Sequence, residues 1–103
     1  MSRTSFTFSY SRDIENAIRN VENVLAQNGY KKINQNNEEI WKKGTGLMSG
    51  VKFIKTEFSQ NSLTLYGWVK TGLGGPEMDL SGFALAVPKK SVMKVIEQIK
   101  MSV

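Results

Sequence analysis

The chain has 103 residues, 40% of them hydrophobic and 22% charged, with no cysteine and no histidine. That is one domain's worth of sequence, long enough to bury a two-layer core without covalent staples. It excludes a disulfide framework, thiolate chemistry and the commonest general base and metal ligand.

The formal net charge is +5. Most of the cations are lysines, and only Arg3, Arg12 and Arg19 are arginines. Lysine is the ordinary solubilising cation, whereas arginine is the better fork for phosphates and base edges. The balance therefore reads as a solvated basic surface more readily than as a nucleic-acid or membrane footprint. No apolar run approaches the ~20 residues that cross a bilayer. The leading residues alternate polar and apolar, unlike the core of a signal peptide, so the cytoplasm is the expected location.

Residues 5–10 alternate strictly, with Phe6, Phe8 and Tyr10 on one side, which predicts a half-buried strand. Ser11 is a candidate N-cap, with Asp13 and Glu15 placed to meet the helix dipole. Ile14, Ala17, Ile18, Val21, Val24 and Leu25 recur at the helical period, so residues 12–28 form an amphipathic helix ended by Gly29. Residues 30–33 are a short strand, 34–37 a polar turn and 39–43 the next strand. Residues 44–50 are a glycine-rich loop.

Residues 51–70 carry the hairpin signature, two β-prone runs about a polar break at Gln60-Asn61. Pairing Ser59 with Ser62 sets Phe58 against Leu63, Thr56 against Leu65 and Ile54 against Gly67. On the opposite face it sets Phe53 against Trp68 and Lys55 against Tyr66. The first face is aliphatic and suits a helix-covered core. Residues 71–76 are a connection. Residues 79–87 read as a last strand interrupted by Gly82, and Pro88 opens a closing helix with Val92, Val95, Ile96 and Ile99 on its apolar stripe. The order β-α-β-β-β-β-β-α predicts a single α+β domain over residues 1–103. Its expected form is two layers, an antiparallel sheet of five or six strands with two helices on one face.

Trp41-Lys42-Lys43-Gly44-x-Gly46, then Phe53-Ile54-Lys55, Trp68 and Gly82-Phe83-x-x-Ala86-Val87-Pro88-Lys89-Lys90 resemble a group of small uncharacterised bacterial proteins, mainly of low-GC Gram-positive type. The resemblance runs from about Trp41 to Lys90 and implies no activity. The element order is separately similar to the half-repeat of the TATA-box-binding protein. That likeness is topological and supplies no function.

The spacing Gly44-x-Gly46-x-x-x-Gly50 fails as a dinucleotide fingerprint, because Ser49 occupies a glycine position and a strand follows instead of a helix. Leu47 and Met48 at its tip are a candidate apolar contact. Glu77 and Asp79 fall short of a calcium ligand set, and Glu38-Glu39 reads as a solvated turn. No cofactor, no metal and no enzymatic activity are expected.

The remaining candidate is the second hairpin face, Phe53, Tyr66 and Trp68 with Lys55 and Lys70, and Lys43 at its margin. If helices cover only the first face, these aromatics are exposed together as an interaction surface for a protein partner or for a second copy. The opposing reading is that they stabilise the sheet as cross-strand pairs, folded over by Trp41 or by residues 71–79. A second function class is nucleic-acid binding through Lys31, Lys32, Lys42, Lys43, Lys89 and Lys90. A third is a small-molecule carrier with a cavity between helix and sheet.

Overall fold

A computed structural model describes residues 3–11, 13–44, 50–70, 77–81 and 86–103. In chain order its elements are β1 (Thr4–Ser9), α1 (Ile14–Gln27), β2 (Lys31–Gln35), β3 (Glu38–Lys43), β4 (Val51–Phe58), β5 (Ser62–Lys70), β6 (Glu77–Met78) and α2 (Ala86–Ser102). The strands form one antiparallel sheet in the order β1-β5-β4-β3-β2. The short β6 pairs with Val69 and Lys70, continuing along β5 from the point where β1 begins. The fold is α+β, and the described residues form an antiparallel sheet of six strands with two helices.

The central hairpin has the register expected from the sequence, from Val51 opposite Lys70 to Phe58 opposite Leu63. Ser59 N–H donates to the Ser62 carbonyl at 2.8 Å and closes the turn at Gln60-Asn61. The Tyr10 hydroxyl donates to the Ser59 carbonyl, tying the end of β1 to the same turn. At the β2–β3 turn Asn36 and Asn37 take φ of 55° and 62°, the type I′ geometry whose twist matches flanking strands. Both strands therefore reach the turn, and the polar stretch is shorter than residues 34–37.

Asp13, and not Ser11, caps α1. Its carboxylate accepts from Asn16 N–H at 2.9 Å and from the Asn16 side-chain amide at 2.8 Å. A carboxylate at the N-cap satisfies an orphan donor and meets the helix dipole at once. At the other end Gly29 has φ of +86°, with its N–H on the Ala26 carbonyl and Tyr30 N–H on the Leu25 carbonyl, both at 3.0 Å. This is the Schellman ending that the glycine predicts.

The last strand is a correction. Among the described residues pairing is confined to Glu77 and Met78, while Ala86 and Val87 belong to α2. Residues 82–85, including Gly82, lie outside the described residues. A proline in the first helical turn gives up no hydrogen bond, because the N–H groups there have no intrahelical partner. Pro88 therefore permits the helix to start ahead of it.

Both helices pack on the face carrying Ile54, Leu63, Leu65 and Val69. Ala17, Val21 and Leu25 come from α1, and Val92, Val95, Ile96 and Ile99 from α2. α2 and the sheet approach closely at Gly67. A Cβ built there lies 3.0 Å from Leu80 Cδ1, 3.1 Å from Val92 Cγ1 and 3.2 Å from Ile96 Cδ1. No room is left at that point for a side chain. No helix among the described residues is long and apolar enough to cross a membrane.

Candidate functional site

The face of the sheet opposite the helices carries a second, smaller cluster of Ile40, Val51, Phe53 and Trp68, flanked by Ile33 and Tyr66. Phe53 and Trp68 stack across β4 and β5 with ring centroids 5.2 Å apart and planes at 6°. The Arg3 guanidinium lies 3.7 Å from the Trp68 ring centroid. It sits there for a reason of register. Ser5 pairs with Tyr66, so two residues earlier along the same face is the position beside Trp68.

Two carboxylates hold Arg3 in place, each through a pair of hydrogen bonds. Glu77 accepts from Nε at 3.1 Å and from Nη2 at 2.9 Å. Glu38 accepts from Nη1 and Nη2, both at 3.0 Å. Lys55 Nζ extends the network, 2.8 Å from Glu38 and 3.6 Å from Glu57. The Tyr66 hydroxyl donates to Glu57 at 3.1 Å. The hydrogen bonds from Arg3, then from Lys55, hold the Glu38 carboxyl at about 2, well below its ordinary 4.5. The same pairs, Glu77 foremost, push the Arg3 guanidinium up, and the Glu38 bond pushes Lys55 up. Bidentate pairs of this kind fix geometry as well as charge.

This arrangement corrects the exposed-aromatic expectation. Trp68 is 1% and Phe53 3% exposed. The flat guanidinium roofs the indole, and Lys70, whose Nζ is 5.9 Å from the Phe53 ring, lies over its partner. Tyr66, Lys55 and Lys70 are half-buried around them. The stacked pair is thus a small internal cluster and offers no open rings to a base. Glu38 is likewise not a solvated turn residue. It is the node that joins Arg3 to Lys55. The sequence reading missed Arg3 altogether. Pairing β1 with β5 in the register of their alternating residues was the signal that could have placed it.

The lysines expected to meet phosphates do not form one set. Lys89 is buried and donates to the Ser81 carbonyl. Lys32 is spent on Glu22 at 3.0 Å and Glu39 at 3.1 Å. Lys90 stands exposed on α2. Lys31, Lys42 and Lys43 do come together, at the end of the sheet where β2 starts and β3 finishes. Leu47 and Met48 lie outside the described residues, as do 71–76. Among the described residues no group of three or more carboxylates is placed to hold a metal ion. The two edges of the sheet also differ. β2 presents Lys31 and Lys32, while none of the six residues of β1 is charged. Compared with protein-family models, curated proteins and solved structures, the chain gives no significant match.

Proposed function

We propose that this protein is a non-enzymatic interaction module that associates with a second copy of itself through the open edge of β1. The observation that carries the reading is that edge. Among the described residues β1 pairs only with β5, so its outer N–H and C=O groups have no strand partner. Folded proteins blunt such edges with lysine, proline or a bulge, as the lysines of β2 do here. Nothing of the kind protects TSFTFS.

A twofold copy set antiparallel about Thr7 brings Ser5 against Ser9 and continues the sheet across the axis. An isologous contact of that type closes on itself as a dimer. On the helix side the same strand carries Phe6 and Phe8, half-buried and stacked at 6.5 Å. Lys100 Nζ, 5.7 Å from the Phe8 ring, brings the end of α2 alongside β1, and Met101, which follows, is 85% exposed. Apolar surface beside an open edge is what a second copy covers. The absence of His and Cys from the whole sequence supports a binding role over catalysis.

The test is sedimentation velocity over a range of concentrations on the wild type and on Ser5→Lys/Thr7→Lys. A dimer that the variant reduces to a folded monomer, as judged by circular dichroism, is the expected result. A wild type that stays monomeric at its highest attainable concentration overturns the reading, as does a variant that still dimerises.

A further inference from the structure

Lysines face one another twice at one end of the sheet. Lys31 lies directly opposite Lys42 across β2 and β3, and Lys43 directly opposite Lys52 across β3 and β4. Like charges in directly opposed positions destabilise a sheet. Three other cations are relieved by acids, while Lys70 lies over the Phe53 ring. Arg3, Lys32 and Lys55 each hold two carboxylates. Among the described residues no carboxylate forms an ion pair with Lys31, Lys42, Lys43 or Lys52. Burial, and after it the charge of Lys43, pull the Lys52 ammonium below its ordinary range.

Three of these lysines also share a concavity. A cleft of about 290 Å³ is lined by Gly29, Lys31, Ile33, Lys42, Lys43 and Gly44. Its two glycines have φ of +86° and +100°, a conformation that side chains rarely adopt. The Lys43 stem runs along the bare Cα of Gly29, 3.4 Å from where a Cβ would stand. Substitution at Gly29 would crowd the cleft as well as strain the end of α1.

We propose that this cleft binds a phosphate group. Lysines from both faces of the sheet line it, Lys31 and Lys42 from one and Lys43 from the other, and with no carboxylate among the lining residues their charge offsets that of an anion. The anion in turn offsets the repulsion between Lys31 and Lys42, both of which line the cleft. Lysines without arginine fit a phosphate taken as a point charge. The volume is at the small end of ligand pockets, room for a compact phosphorylated molecule or for one phosphate of a nucleic-acid strand. The site is separate from the β1 edge and stands without the dimer.

Two probes distinguish the sources, inorganic pyrophosphate by calorimetry and a short fluorescein-labelled single-stranded oligonucleotide by anisotropy, both at low ionic strength. Lys42→Gln/Lys43→Gln is compared with Lys90→Gln/Lys94→Gln, which removes the same charge from exposed positions on α2. The cleft variant should weaken binding roughly tenfold and the helix variant by less than about twofold, since a local site outweighs a diffuse field that salt screens. Pyrophosphate binding assigns a free phosphorylated ligand, and oligonucleotide binding alone assigns strand phosphates. Binding of neither probe overturns the proposal, as does equal weakening by both variants. If the cleft variant does not fold, the wild type decides. The probe that the wild type binds must raise its melting temperature above that in chloride of equal ionic strength, and an equal temperature overturns the site.

Discussion

Replacing Arg3 by Gln tests how the helix-free face is held together. The side chain is 13% exposed and forms four hydrogen bonds to Glu38 and Glu77 while lying on Trp68. Breaking a fully buried ion pair costs about 3–5 kcal/mol and an exposed one about 0–1 kcal/mol, with about 0.5–2 kcal/mol for a guanidinium over an aromatic ring. Arg3 lies between these limits, so a loss of about 2 kcal/mol is expected, near 10 °C in melting temperature for a domain of this size. The pH dependence is more specific. The Glu38 carboxyl sits at about 2 in the folded protein against 4.5 unperturbed. Its contribution is therefore fully present above 4.5 and is lost as pH falls through about 2. The full shift corresponds to about 3 kcal/mol, and solvent screening of a partly exposed carboxylate brings that down to about 1 kcal/mol. In Arg3→Gln the first cause of the shift is gone, Glu38 moves back toward 4.5, and the loss of stability across that window flattens. Urea midpoints at a series of pH values, with the Glu38 carboxyl followed by NMR, measure both effects. A variant that melts within about 2 °C of wild type and keeps the acid slope refutes the role given to Arg3.

Two further substitutions probe the helix-covered side. Gly67→Ala pushes a methyl group into Leu80, Val92 and Ile96, the first of them the end of a flexible side chain in a half-buried position. A loss of about 1–3 kcal/mol in chemical unfolding is expected from overpacking, and an unchanged midpoint would show that α2 shifts freely. The Tyr30 hydroxyl is buried without a hydrogen-bond partner among the described residues, and burial raises its pKa. Tyr30→Phe should be neutral or stabilising by up to about 1 kcal/mol, because it removes an unpaired polar group and keeps the ring. Destabilisation beyond that range in the same assay would mean that the hydroxyl is bonded after all.

Local chemistry was legible in the sequence wherever it was strong. Gly29 announced the end of α1, and a two-residue turn at Gln60-Asn61, pairing Ser59 with Ser62, set the register of β4 and β5 residue by residue. Where two local signals competed, the reading failed by a few residues. Ser11 and Asp13 are both good caps, and the carboxylate prevailed. The stretch FALAV before Pro88 is as compatible with a strand as with the first turn of a helix, and part of it is helix.

What the residues alone did not disclose is which charges are spent on which surfaces. Arg3, Glu38, Lys55 and Glu77 are scattered through the chain, and each taken singly is an ordinary solvated charge. They meet only because β1 and β6 lie along the same side of β5, a consequence of strand order that no local pattern encodes. Once they meet, a guanidinium gripped by two carboxylates covers an indole as a helix would, at the cost of one residue instead of a whole element. The aromatic face that looks like an open surface in the sequence is therefore closed by charge. Four other lysines, Lys31, Lys42, Lys43 and Lys52, gather at the end of β2, β3 and β4 with no carboxylate ion-paired to them among the described residues. A net charge of +5 says nothing of this separation. The informative quantity is where the acids run out, and they run out beside a cleft.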